Sequence, residues 1–192
     1  LLYVQNTVSN ISQGNLNKLE EYQVIGKRSE GDHLMPAFIA MMENIGRMVD
    51  DAKDLARAAV EGRLDIRADA AKHEGEFRRV IEGVNETLDA VIGPLKLAAK
   101  GIDRIGKGDI PDKITNDYNG DFNEIKNSLN SCIDAVNALI ADTDMLADAA
   151  VAGRLDIRAD AGKHEGDFSL IVNGVNRTLD ALIEPIIEAE QV

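Results

Sequence analysis

The sequence predicts an all-α protein: an elongated rod of helix-connector-helix units, paired with a second copy of itself into concatenated parallel four-helix bundles. Three observations carry this. First, a segment repeats residue for residue at an offset of 91: Gly62 to Ala70 returns as Gly153 to Ala161, and Lys72-His73-Glu74-Gly75 as Lys163-His164-Glu165-Gly166. Gly83-Val84-Asn85 and Thr87-Leu88-Asp89-Ala90 return as Gly174-Val175-Asn176 and Thr178-Leu179-Asp180-Ala181, so the chain is an array of one small unit. Second, apolar residues recur at heptad spacing over most of its length. Third, Gly14, Gly62, Gly108 and Gly153 punctuate the runs at intervals of 48, 46 and 45 residues.

The elements follow in order. The first helix ends at Gly14, and a connector at 15–30 carries Leu16 and Leu19. A long seam then steps through Leu34, Phe38, Met41, Ile45, Met48, Ala52, Leu55 and Ala59, with Pro36 in its early turns. Gly62 stops it, and the connector at 63–74 carries Leu64 and Ile66. The next seam is Phe77, Ile81, Val84, Leu88, Val91, Leu95, Ala98, Ile102 and Ile105. Gly93-Pro94 interrupts it without shifting register. Proline lacks the N–H a helix needs, so a bend or junction is expected at Pro94, and another at Pro185.

After Gly108 comes a connector at 109–119 with Ile110 and Ile114. The third seam runs Phe122, Ile125, Leu129, Cys132, Val136, Leu139, Thr143, Leu146 and Ala150. After Gly153 the connector at 154–165 carries Leu155 and Ile157, and Phe168, Val172, Val175, Leu179, Leu182 and Ile186 open the last seam. Each seam thus joins the second helix of one unit to the first helix of the next. The connectors are too polar for a seam helix, and a loop that only spanned a gap would not need their apolar residues. They are expected to be extended, to cover the groove between the helices they join, and to return the chain so that both helices run parallel. Two such helices still expose a stripe, which a second copy closes into a four-helix bundle.

Composition bounds the function. Of 192 residues 44% are hydrophobic, but aromatics are 4% and Trp is absent, which leaves a core of Leu, Ile, Val, Ala and Met. A net charge of −13 argues against nucleic acid and anionic lipid as partners. The single cysteine, Cys132, cannot form an intramolecular disulfide, which points to a reducing compartment; at a seam position it reads as a small core hydrophobe. The opening Leu1-Leu2-Tyr3-Val4 has neither an initiator Met nor a basic region, so the chain is expected to be a piece of a longer protein.

Motifs for chemistry are weak. His73 and His164 sit in Lys-His-Glu-Gly before a helix, where a phospho-acceptor or metal ligand would need partners that are not nearby; they read as polar residues at a helix entrance. Asp117, Asn119 and Asp121 imitate the opening of a calcium loop, but Phe122 and Ser128 stand where it needs Gly and Glu. Asn119 or Asp121 reads instead as a helix cap. Gly106-Lys107-Gly108 lacks the pattern of a phosphate loop. Gly62, Gly108 and Gly153 are expected at positive φ where helices end. No catalytic residue, cofactor, metal or small-molecule ligand is expected.

Taken together the chain resembles tandem HAMP domains, the poly-HAMP arrays of bacterial receptors. The residues that carry the resemblance are the glycine and apolar residue after a first helix (Gly62/Leu64, Gly108/Ile110, Gly153/Leu155) and an acidic residue with glycine at the second helix (Glu30-Gly31-Asp32, Glu74-Gly75-Glu76, Glu165-Gly166-Asp167). Pro94 and Pro185 near unit starts also fit, whereas Asn119-Gly120-Asp121 departs from the acidic pattern. Gly83-Val84-Asn85-Glu86-Thr87-Leu88-Asp89 looks like segments of methyl-accepting chemotaxis receptors. The units fall at 1–48 (its first helix expected to be truncated), 49–93, 94–139 and 140–184, and 185–192 begins a following helix.

The resemblance implies a homodimeric, non-catalytic module, the cytoplasmic part of a membrane-anchored receptor. It passes conformational change from an upstream sensor to downstream signalling helices and a kinase complex, through bundles that alternate between two packings. The residues expected to carry the relay are Gly14, Leu16, Gly62, Leu64, Ile66, Gly108, Ile110, Ile114, Gly153, Leu155 and Ile157. Those at the helix entrances are Glu30, Glu74, Asn119 and Glu165, and those at the junctions are Pro94 and Pro185. Two alternatives remain at this point: a passive coiled-coil spacer, or the dimerisation segment of a sensor histidine kinase.

Overall fold

The computed structural model describes the backbone of residues 2–190 and the side chains of residues 5–184. The described residues form six α-helices and no strand: α1 (Leu2–Ser12), α2 (Leu19–Ile25), α3 (Leu34–Val60), α4 (Gly75–Gly106), α5 (Asp121–Val151) and α6 (Gly166–Glu190). Single 3-10 turns stand at Ala70–Lys72 and Ala161–Lys163. Contacts divide the chain into two compact halves, Leu1–Gly93 and Pro94–Val192. Helix α4 continues through Pro94, where the helix lacks one hydrogen bond. The expected junction at Pro185 and the following helix at 185–192 lie outside the residues whose side chains are described.

Each of the four repeat units stops its first helix in the same way. After α3, Arg63 N–H donates to the Ala58 carbonyl (2.8 Å) and Gly62 N–H to that of Ala59 (3.1 Å). The paired bonds recur with Asn15 and Gly14, Asp109 and Gly108, and Arg154 and Gly153 as donors. This is the Schellman stop, which satisfies orphan carbonyls and needs a left-handed residue between them. The glycines supply it, with φ of 72° at Gly14, 74° at Gly62, 78° at Gly108 and 74° at Gly153.

Three small cores are described, each joining two helices through their connector. In the first repeat Ile11, Tyr22, Met35 and Met42 are buried, with Leu16, Leu19, Phe38 and Ile45 against them. In the third, Ala98, Leu129 and Ile133 pack with Ile105, Ile110 and Ile114. In the fourth, Leu146, Ala159 and Val172 pack with Leu139, Ile157 and Leu179. The heptads split accordingly. Ile81, Ala98, Leu129 and Val172 are buried within one chain, while Val84, Val91, Ile102, Ile125, Val175 and Leu182 on the same runs are exposed.

The first repeat departs from the expected extended connector. Residues 15–30 contain α2, with Tyr22 buried and its hydroxyl 2.9 Å from that of Thr7. A seven-residue helix is too short to show a heptad, and Leu19 and Tyr22 pack as a single-turn pair. Gly31 does not open the second helix either, since α3 starts at Leu34. Asp32 accepts from the N–H of Met35 (3.2 Å) and of Arg28 (3.2 Å). Pro36 sits in the first turn of α3, where its missing N–H has no helical partner to lose.

Candidate functional site

The chain's characteristic site is the connector and the two helix surfaces it lies on. Its anchor is an asparagine ten residues into the second helix. The Asn85 side chain accepts from the Ala68 N–H (3.1 Å) and donates to the Ala68 carbonyl (2.8 Å). Asn176 makes the same pair with Ala159 (3.1 and 2.8 Å), and Asn130 with Ile114 (2.8 and 2.9 Å). One side chain thus satisfies both backbone groups of a connector residue, as a neighbouring strand would.

A second tie lies one helical turn on. Arg67 binds Asp89 (2.6 Å), Arg158 binds Asp180 (2.7 Å) and Lys113 binds Asp134 (2.7 Å). The arginines also reach back along their own connectors. Arg67 donates to the carbonyls of Leu64 (2.9 Å) and Ile66 (2.6 Å), and Arg158 to those of Leu155 and Ile157 (both 2.7 Å).

A third tie binds the first helix. Nε2 of His73 lies 2.6 Å from Oδ2 of Asp51, and Nε2 of His164 lies 2.6 Å from Oδ2 of Asp142. The histidine side chains are only 1% and 2% exposed. They stand at the helix entrance, where the sequence places them, as buried residues tied to the preceding helix. Just before each, Asp69 and Asp160 cap the 3-10 turn through the N–H groups of Ala71 and Gly162.

These ties fix the direction of the helices. The connector leaves α3 at Gly62 and returns to Asp51, eleven residues upstream, or about 16 Å at helical rise. Helix α4 starts there, and its later residues Asn85 and Asp89 meet connector residues progressively nearer Gly62. The two helices of the repeat therefore run parallel.

The remaining predicted positions divide. Leu16, Ile110, Ile114 and Ile157 pack against the cores, whereas Leu64, Leu155 and Ile66 are 38%, 37% and 37% exposed. Glu30, Glu74, Asn119 and Glu165 are exposed. The turn at each later helix start comes from the glycine beside them, at φ 55° for Gly75 and Gly120 and 54° for Gly166. No side-chain bond caps α5 among the described residues, so neither Asn119 nor Asp121 acts as its cap. Cys132 is exposed rather than buried in its own chain, on a groove with Ala98, Ile102, Ile125 and Leu129. The asparagines and the two Asp–His pairs escaped the sequence reading. The available signal was Asn85, Asn130 and Asn176, each at the same distance from a helix-start glycine.

Among the described residues no group of His, Cys, Asp and Glu is placed to hold a metal, and no helix is long and apolar enough to cross a membrane. The arrangement suits packing, held by polar ties that repeat along the chain. The family model described as the HAMP domain matches residues 72–138 and 163–192. The chain belongs to the HAMP domain family. HAMP domains relay signals within sensor proteins, and the repeated connectors are the parts that distinguish such a module from a plain coiled coil. A curated relative is the methyl-accepting chemotaxis protein McpB of Pseudomonas aeruginosa, 24% identical over 102 residues, which are 53% of this chain and 15% of that protein. The chain therefore aligns with a small part of its relative. No solved structure matches it.

Proposed function

We propose that this HAMP array is a conformational relay in a chemotaxis-type receptor. It works as a parallel homodimer, in the cytoplasmic part of a membrane-anchored protein, between an upstream sensor and helices that control a kinase complex. Successive repeats alternate between two bundle packings, each biasing the next. The observation that carries this is the connector tied to both helices it joins: a passive spacer needs one uninterrupted heptad helix and no such ties. The likeness to a methyl-accepting chemotaxis protein supports the chemotaxis output. The apolar residues left exposed along the heptads, Ile102 and Leu182 among them, support a second copy as the partner.

In this reading Gly14, Gly62, Gly108 and Gly153 set the helix stops. Leu16, Leu64, Ile66, Ile110, Ile114, Leu155 and Ile157 couple the connector to the bundle, and Pro94 and Pro185 mark the joints between repeats. The test is Leu64→Ala and Leu155→Ala in the full-length receptor, read as kinase output with and without stimulus. Each half-exposed leucine loses about 1–2 kcal/mol on truncation, comparable to the gap between two packings. The expected result is a shifted output bias in a folded dimer. Unchanged output in both states would make the connectors plain loops and favour a passive spacer.

A further inference from the structure

The repeats are not tied equally, and the inequality has a place. Asp51 and Asp142 stand eleven residues before a stop glycine, and His73 and His164 stand two before a helix-start glycine. In the third repeat those two places hold Leu97 and Tyr118, which cannot form the buried carboxylate–imidazole hydrogen bond. Lys113 replaces the arginine of the second tie. It reaches Asp134, but among the described residues it makes neither of the two bonds to connector carbonyls that Arg67 and Arg158 make. The connector at 109–119 also lacks the 3-10 turn that Asp69 and Asp160 cap in its neighbours.

A cavity of about 260 Å³ opens at this same connector, lined by Leu97, Gly101, Lys113, Ile114 and Leu129 among others. Of the ties that hold the other two connectors, the third keeps the asparagine bonds to Ile114 and one ion pair.

We propose that Asp51–His73 and Asp142–His164 are positioning pairs that hold the second and fourth repeats in one register of helix against helix, and that the third repeat, with Leu97 and Tyr118 in their place, is the compliant step of the array. A 2.6 Å bond between two largely buried groups tolerates little sliding or rotation of one helix on the other. A Leu and a Tyr at those two places have no directional bond to make and accept several registers at similar energy, because apolar packing is not directional. This inference rests on the relay reading for its meaning, but its physical content is local stability and can be measured without any output.

Hydrogen exchange followed by mass spectrometry on the full chain is the test. Protection factors across 109–119 are expected to be at least about tenfold lower than across 63–74 and 154–165. Leu97→Asp with Tyr118→His should raise protection at 109–119 toward that of its neighbours. Asp51→Leu should lower it at 63–74 and leave 154–165 unchanged. The swap Asp51→His with His73→Asp should restore it, which a loss of general packing would not allow. Equal protection of the three connectors in the unmodified chain overturns the proposal without any variant, and leaves the relay reading intact. Equal effects of Asp51→Leu on 63–74 and 154–165 also overturn it. In the full receptor the Leu97→Asp, Tyr118→His variant should narrow the output range between stimulus states. If exchange behaves as expected while output ignores both this variant and Leu64→Ala, the relay reading fails and the assignment of the compliant repeat stands.

Discussion

One asparagine in each of the last three repeats binds both peptide groups of a connector residue that sits against the bundle. Ala68 and Ile114 are half-buried and Ala159 is buried, so the groups freed by removing the amide are partly cut off from water. Asn85→Ala or Asn176→Ala should therefore cost about 1–3 kcal/mol, the penalty of leaving buried backbone groups unpaired. The loss should appear in chemical denaturation as a lower midpoint with an unchanged slope. Asn85→Asp keeps the acceptor for Ala68 N–H but cannot donate to the Ala68 carbonyl, so it should recover only part of the loss. If Asn85→Ala costs no more than an exposed substitution on α4, the asparagine bonds are incidental to the fold.

At the scale of the element, acid should loosen two helix ends. The N–H groups of Met35 and Arg28 hold the Asp32 carboxyl below its ordinary range at the start of α3. The Arg104 guanidinium does the same for Asp109 just beyond α4, and is itself held more firmly protonated by that carboxylate. A carboxyl depressed in the folded state stabilises above its unfolded value, about pH 3.9 for Asp, and that stabilisation fades as pH falls through the folded value. Asp32→Asn and Asp109→Asn should thus lower the urea midpoint at neutral pH, and the gap to the unmodified chain should close in strong acid. A gap that stays constant with pH would remove these carboxylates from the acid response.

The helices themselves were legible because their signals are periodic or steric. Heptads located α3 to α6, and stop glycines located the ends of α1, α3, α4 and α5. The ties were not legible, because each joins residues from different elements: Asp51 and His73 are 22 positions apart, and Asn85 and Ala68 are 17. No periodicity marks such a pair. Helix α2 escaped because its seven residues are too few to show a heptad, and Tyr22 is held by Thr7 of another helix rather than by a seam.

At the scale of the whole molecule, some residues of the later heptad stripes are buried within the chain and others on the same runs are open. Ala98, Leu129 and Val172 are buried in the small cores of the third and fourth repeats, and Ile81 is buried in the second. Ile102 and Leu182, each 62% exposed, lie on the same runs and would remain in water in a monomer. Closing that stripe against a second copy removes it from water at about 25 cal/mol per Å² of apolar surface. Light scattering is therefore expected to give twice the chain mass at micromolar concentration. Ile102→Asp or Leu182→Asp should shift the mass toward the monomer. Val60→Asp, at a helix end where the side chain is already 90% exposed, should leave it unchanged. Cys132 adds the orientation: it lines the open groove beside Ile102 and Ile125. In a parallel dimer it faces its own copy, so mild oxidation should yield a covalent dimer wherever the two Cα atoms come within about 7 Å. An antiparallel pair would hold the two sulfurs apart unless the two-fold axis passed beside Cys132 itself. A second single cysteine, placed at Ser169 in a Cys132→Ser background, separates the cases. A spin probe on the Ser169→Cys, Cys132→Ser variant should report one short distance between copies if the chains run parallel and a long one if they do not, and a long distance would reject the parallel bundle.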